Sequence, residues 1–176
     1  MSKNKNNYYR PSDDTFLLAE CVQKFKGESA LEIAAGSGYI SNVLKENFRL
    51  VIATDIDLDA TRAARNKANL LVCCDSASAI TNTMFDLVVI NPPYLPSQQI
   101  NDITVDGGRD GIEVSLKMLC DAVRLLKNDG VILLVTSSLA NYTSLLTHMQ
   151  KLGFKADIIG RKKLDFEELF VIQARR

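Results

Sequence analysis

Ala30-Leu31-Glu32-Ile33-Ala34-Ala35-Gly36-Ser37-Gly38 (ALEIAAGSG) is a short strand-forming run that passes directly into a glycine turn. Residues 39–47 then carry a helical pattern, and residues 50–54 read as a second apolar strand that stops at Asp55. Strand, small-residue turn, helix and strand make the unit of a parallel sheet, because parallel neighbours need a crossover connection. The unit repeats outward. Upstream, residues 13–25 place Phe16, Leu17, Cys21 and Phe25 at helical spacing, with Ser12 set to cap the helix and Asp13 and Asp14 favourable in its first turn. Downstream follow a helix over 58–68, a strand over 70–74 ending at Asp75, and a strand over 85–90. A long helix over 111–126, a strand over 131–136 and a helix over 141–152 come next, then two strands, 154–159 and 169–174, separated only by a loop. Continuous apolar strands alternating with helices predict a sheet covered on both faces. The last two strands can pair as a hairpin. The expected fold class is α/β: a mainly parallel, seven-stranded, doubly wound sheet with an antiparallel last strand. One domain is expected over residues 1–176, with residues 1–7 flexible.

Composition narrows the chemistry. The 176 residues are 47% hydrophobic, and 21 Lys and Arg balance 21 Asp and Glu. A net charge of zero argues against gripping long nucleic acid through a broad basic surface, since phosphate neutralisation dominates such binding. No stretch approaches the roughly 20 apolar residues that span a bilayer, and the polar start is expected of a cytoplasmic protein. The four cysteines contain no C-x-x-C pair and are expected to be reduced and mostly buried, with Cys73 and Cys74 on opposite faces of a strand. A single histidine, His148, sits in a helical pattern and reads as a surface or boundary residue. That weighs against histidine-based hydrolases, and no metal site is expected.

In an open α/β sheet the ligand lies off the carboxyl ends of the strands. Glycines at 36 and 38 allow a tight turn and a close backbone approach, though such turns are common. They do not make the G-x-G-x-x-G dinucleotide pattern, and no P-loop is present. Asp55 is placed either to accept hydrogen bonds from two ribose hydroxyls or, like Asp57, to cap the next helix. Asp75-Ser76 could meet an adenine amino group or be an ordinary polar loop. In sequence order, the set suits an adenosine moiety with no phosphate to neutralise. The fourth strand ends in Asn91-Pro92-Pro93-Tyr94. The Asn91 side-chain carbonyl and the Pro92 backbone carbonyl can together accept from one planar –NH2 group. Proline locks φ and so aims the carbonyl, and Tyr94 offers a face for stacking. Arg161-Lys162-Lys163 reads as a solvated hairpin end or as a contact for RNA or an acidic substrate.

With these strand ends in place, the chain resembles the class I S-adenosylmethionine-dependent methyltransferases, and among them the NPPY-bearing amino methyltransferases. Arg10-Pro11-Ser12-Asp13-Asp14-Thr15-Phe16-Leu17-Leu18, Asp106-Gly107-Gly108-Arg109-Asp110-Gly111 and Lys162-Lys163-Leu164-Asp165-Phe166-Glu167-Glu168-Leu169 narrow the likeness. They are similar to the HemK-related archaeal and eukaryotic branch that methylates the glutamine of class 1 release factors. The resemblance covers nearly the whole chain from about Tyr8. It implies S-adenosyl-L-methionine as cofactor, with Thr15, and with it Asp14, closing over the methionine part. Glu32, Ala34, Gly36 and Gly38 line methionine and ribose, Asp55 binds the ribose hydroxyls, Ile56 lies against adenine, and Asp75 and Ser76 meet its edge. Asn91 and Pro92 hold the acceptor beside the cofactor, with Tyr94 next to them. Where the family has glycine this chain has Ala34; a methyl group there is harmless if its φ is negative, which is the expectation with Gly36 and Gly38 intact.

The implied reaction is methyl transfer to the side-chain amide nitrogen of the glutamine in a release-factor GGQ motif. Adenine-N6 or guanine-N2 transfer on DNA or RNA and protein lysine methylation are the alternatives. The resemblance also implies a small zinc-binding activator protein covering a hydrophobic sheet edge. Exposure of Leu50, Val51, Leu71 and Val72 would mark that edge.

Overall fold

The computed structural model describes residues 8–81 and 84–176; the flexibility expected of residues 1–7 concerns a segment outside them. Seven strands, β1 (Gly27–Ile33), β2 (Phe48–Asp55), β3 (Leu70–Cys73), β4 (Phe85–Ile90), β5 (Leu126–Ser137), β6 (Lys155–Lys163) and β7 (Glu168–Arg175), form one sheet in the order β3-β2-β1-β4-β5-β7-β6. β1 to β5 pair parallel. β7 inserts between β5 and β6, antiparallel to both. The fold expected from the alternating pattern therefore holds. The chain winds outward from β1 to β3 and then returns to place β4 on the other side of β1. That reversal leaves a crevice above the carboxyl ends of β1 and β4, where an open α/β sheet binds its ligand.

The helices are α1 (Asp13–Val22), α2 (Tyr39–Leu44), α3 (Leu58–Ala63), α4 (Glu113–Leu125) and α5 (Tyr142–Lys151). The period-2 alternation of β1 and β4 sends Leu31, Ile33, Val88 and Ile90 to one face, where Leu119 of α4 and Leu145 of α5 join them. Ala30, Leu87 and Val89 go to the other face, against Leu18 of α1 and Ile40 of α2. Leu87, Val88, Val89 and Ile90 are at most 1% exposed, and burying such side chains contributes about 1.5–3 kcal/mol each. This is why β4 can carry a rigid corner at its end without moving. At its other end Asp86 accepts the backbone N–H groups of Glu28 and Ser29 at 2.9 and 2.8 Å and pairs with Lys127 at 2.6 Å.

Two local expectations need correction. All four cysteines are free, but only Cys21 is buried; Cys73 and Cys120 are exposed and Cys74, past the end of β3, is half-buried. Cys73 sits on the outermost strand and Cys120 on the solvent side of α4, so a burial argument from local hydrophobicity fails for both. On the β3 edge Leu70 is exposed and Leu71 and Val72 are half-buried, whereas Val51 is fully buried because β1 and β3 flank its strand on both sides. The basic run forms the end of β6 before the β6–β7 turn, with Arg161 and Lys163 exposed as a solvated hairpin end requires; Lys162 reaches Asp13 at 2.8 Å, and Arg161 lies over the Phe170 ring and 3.8 Å from Glu168. Two of its three cations are thus used within the fold.

Candidate active site

A cavity of about 530 Å³ opens where β1, β2, β3 and β4 end, within the range of pockets that hold small molecules. Its walls come from all four strand ends, from residues before α1, from the 95–111 loop, from α4 and from the β6–β7 turn. A small recess beside it shares Tyr9, Ala34, Gly36 and Asn91 and adds Thr15 and Glu32.

At the end of β1 the chain turns sharply, with positive φ at Ala34 (62°), Gly36 (51°) and Gly38 (74°). The negative φ expected for Ala34 is therefore wrong. The residues alternate in and out of the left-handed region, and the two glycines do not relieve the first position. Gly36 donates its N–H to Asp55 Oδ2 at 2.8 Å. Gly38 lines neither cavity; a Cβ there would come within 2.7 Å of the Ala64 Cβ, so its place is in the packing of α2 against the segment after α3. Glu32 is 3% exposed and accepts from the Ser41 hydroxyl. Burial pushes its carboxyl up to about 8, against the pull of that hydrogen bond.

Beyond β2 the two candidate caps separate. Asp57 caps α3, accepting from the Asp59 N–H at 2.7 Å. Asp55 instead accepts from Asp57 N–H at 2.8 Å on Oδ1 and from Gly36 on Oδ2, and so holds its carboxylate at the cavity wall. Burial raises its pKa. Ile56 lines the same wall and is half exposed. Beyond β3, Asp75 pairs with Lys117 of α4, while Ser76 is buried with φ of 52°. All four residues face the cavity.

The corner after β4 is braced from two directions. The 95–111 loop folds back on it: Leu95 N–H donates to Val105 at 2.9 Å, and Gly107 N–H returns a bond to the Leu95 carbonyl at 2.8 Å. A Cβ on Gly107 would lie 2.8 Å from the Tyr94 Cα, and one on Gly111 2.3 Å from the Tyr94 carbonyl oxygen. Only glycine fits between loop and corner. From the other side come α1 and the residues before it. Asn91 donates its amide N–H to Thr15 Oγ1 at 3.4 Å, and the Tyr94 and Tyr9 hydroxyls donate to Asp14 Oδ2 at 3.2 and 2.7 Å. Burial first, then the Asp14 charge, raises both phenol pKa values, so both hydroxyls stay protonated donors. Tyr94 is half-buried rather than fully displayed.

Two charged wall residues, Glu113 and Lys117, carried no sequence signal. Seven acidic residues line the main cavity (Asp14, Asp55, Asp57, Asp75, Asp106, Glu113 and Glu167) against one basic residue, Lys117. Glu113, Lys117 and Glu167 come from α4 and the β6–β7 turn, far from the strand ends in sequence. Tyr9 carries one weak signal, an aromatic residue just ahead of the capped helix. Such a pocket attracts a cation and repels phosphate.

Residues 10–155 match the family described as methyltransferase small domain. The chain belongs to that family. It is 32% identical to a Methanocaldococcus jannaschii protein that carries the name protein N5-glutamine methyltransferase provisionally, over 96% of this chain and 91% of that one. It is 26% identical to the eRF1 methyltransferase catalytic subunit mtq2 of Schizosaccharomyces pombe, over 99% of this chain and 91% of that one. Among solved structures it is similar to the E. cuniculi Mtq2–Trm112 complex responsible for methylation of the eRF1 translation termination factor, with TM-score 0.84, 25% identity, and coverage of 97% of this chain and 99% of that one. The cavity at the strand ends is therefore the candidate active site of a methyltransferase.

Proposed function

We propose that this methyltransferase uses S-adenosyl-L-methionine to methylate the side-chain amide nitrogen of a glutamine in a class 1 translation release factor. The observation that carries the reading is the Asn91–Pro92 corner, braced at the mouth of a strongly acidic cavity. The names of the relatives support the acceptor.

The residues present fit the cofactor. Asp55, held by two backbone N–H groups, keeps lone pairs free for ribose hydroxyls. Ile56 would lie against one face of adenine, and Asp75 with Ser76 would meet its amino edge. Ala34, Gly36, Glu32 and Thr15 bound the methionine end. When bound, the cofactor supplies an electrophilic methyl group on a sulfonium, and the excess of carboxylates suits that positive charge. The acceptor amide is a poor nucleophile because its lone pair is delocalised. The Asn91 and Pro92 carbonyls accept its two N–H groups and raise the electron density on nitrogen. Positive charge developing on the amide nitrogen during transfer would strengthen those hydrogen bonds. They thus stabilise the transition state more than the ground state. The nitrogen would then lose its extra proton to water. Fixed positioning of the amide supplies a further part of the rate.

Asn91→Ala is expected to abolish transfer while calorimetry still detects S-adenosylmethionine binding; near-normal turnover in this variant would sink the mechanism. Presenting purified release factor, DNA, RNA and histone-like protein as acceptors, with mass spectrometry of the product, tests the substrate. We propose in addition a small partner protein at the exposed β3 edge, where Leu70 is 55% exposed. Co-purification from cell extract with and without charged substitutions at Leu70 tests that placement.

A further inference from the structure

Asp14 is 3% exposed, and no Lys, Arg or His forms an ion pair with it among the described residues. Donors nevertheless converge on it: the Thr15 N–H and the Thr15 hydroxyl (3.1 Å) on Oδ1, and the Tyr9 and Tyr94 hydroxyls on Oδ2. A buried carboxylate without a cation is costly unless such bonds satisfy it, so its retention at the acceptor corner calls for a reason. Resting on the amide-acceptor reading above, we propose that Asp14 is a positioning residue that fixes which end of the Asn91 amide faces the acceptor.

The direction of each bond carries the argument. The two ends of an asparagine amide are nearly the same shape, and a half-turn exchanges its carbonyl for its –NH2. Only the carbonyl can accept from an acceptor –NH2; the reversed side chain would set donor against donor. The Asn91 Nδ2 points to Thr15 Oγ1, leaving Oδ1 for the cavity. A hydroxyl can donate as well as accept, so Thr15 alone would permit either orientation. Here its choice is made for it. Oγ1 gives its proton to Asp14, and the Ser12 N–H, which can only donate, points at it from 3.4 Å. What Thr15 then has left for Asn91 is a lone pair. Asp14, which accepts on both oxygens, thereby polarises a chain from the Asn91 N–H through the Thr15 O–H to its own carboxylate. The Tyr9 and Tyr94 bonds anchor the same carboxylate to both walls of the cavity.

The test uses the full chain and the acceptor on which the wild type shows turnover. If the wild type does not methylate a release factor, the acceptor reading fails; the network is then tested on whichever acceptor is methylated. Asp14→Asn introduces an –NH2 that can donate to Thr15 and reverse the chain. It is expected to lower kcat at saturating cofactor by about 100-fold, the scale seen when one transition-state hydrogen bond is lost. Thr15→Val keeps the shape and removes the hydroxyl, and is expected to lower kcat by at least 10-fold; Thr15→Ser restores most of that loss. The double variant Asp14→Asn/Thr15→Val should be no slower than Asp14→Asn alone, because both act through one chain. Thermal melts identify any variant that fails to fold, and the Thr15 pair decides the matter if Asp14→Asn is one. Turnover of Thr15→Val within twofold of wild type, failure of Thr15→Ser to restore what Thr15→Val loses, or fully additive losses in a folded double variant would overturn the proposal.

Discussion

Ala34→Gly should make the protein more stable, against the usual effect of adding a glycine. Ala34 holds φ of +62° at the mouth of the β1 turn. A left-handed conformation costs a residue with a Cβ about 1–2 kcal/mol. Glycine removes that strain but adds freedom to the unfolded chain, a cost of about 0.4–1 kcal/mol. The difference leaves a net gain on the order of 0.5–1 kcal/mol. For a chain of this size 1 kcal/mol moves Tm by about 2–4 °C, so thermal unfolding followed by circular dichroism should show a rise of about 1–4 °C. Ala35 N–H donates to the Thr54 carbonyl at 3.0 Å and Gly38 N–H to the Ala35 carbonyl at 2.7 Å, which hold the turn whatever residue stands at 34. A fall in Tm of 2 °C or more would refute the reasoning, since it would mean that the backbone at 34 does not adopt the left-handed form.

Glu32→Gln should flatten the pH dependence of stability. The folded carboxyl keeps its proton to about pH 8 while the unfolded one loses it near 4.5, so its contribution is full below pH 4.5 and is lost as pH rises to 8, at up to about 1.4 kcal/mol per unit. The Tm of the variant should gain steadily on wild type between pH 5 and 8, and a constant difference would count against a buried neutral Glu32. Asp55→Asn should weaken S-adenosylmethionine binding by roughly 10–100-fold in calorimetry, because one amide oxygen cannot serve two backbone donors and a ribose together; an unchanged Kd would remove Asp55 from the cofactor site. Gly111→Ala, with φ of +68° and a Cβ 2.3 Å from the Tyr94 carbonyl oxygen, should lose at least about 2 kcal/mol of stability and most turnover. Gly153→Ala, with φ of +86° but nothing within 4 Å, should lose only about 1 kcal/mol and retain turnover; equal losses in the two would contradict the bracing of the Tyr94 corner.

The sheet was legible because the central strands each carry an apolar stretch followed by a turn or a polar residue, and burial on both faces favours such stretches as parallel strands. The order of the edge strands was less so: that β7 lies inside β6 is set by pairing with β5, which local pattern does not encode. At the site, the residues immediately after strands were readable, since strand direction alone delivers them to one edge. Asp55 and Asp57 could not be told apart, because both can accept from a backbone N–H two residues on, and both do so. The Gly107–Gly111 loop was recognisable only by resemblance. Its physical reason, a backbone passing against Tyr94, exists only once the loop has folded back. Ala34 was misjudged because the φ of one turn residue is not fixed by the glycines that follow it.

The acidic wall bears on the choice of acceptor in a way that the Asn91–Pro92 corner does not. Two carbonyls receive a planar –NH2 equally well from an amide or a base. A nucleobase, however, arrives with phosphates, and a phosphate brought within about 6 Å of one carboxylate meets about 3 kcal/mol of repulsion at an effective dielectric of 20. Seven acidic residues against one lysine, itself paired to Asp75, make that penalty cumulative. A glutamine side chain is neutral and brings no such charge, and a cationic sulfonium gains from the same wall. The corner selects a geometry and the wall selects a charge; an amide on a protein loop satisfies both.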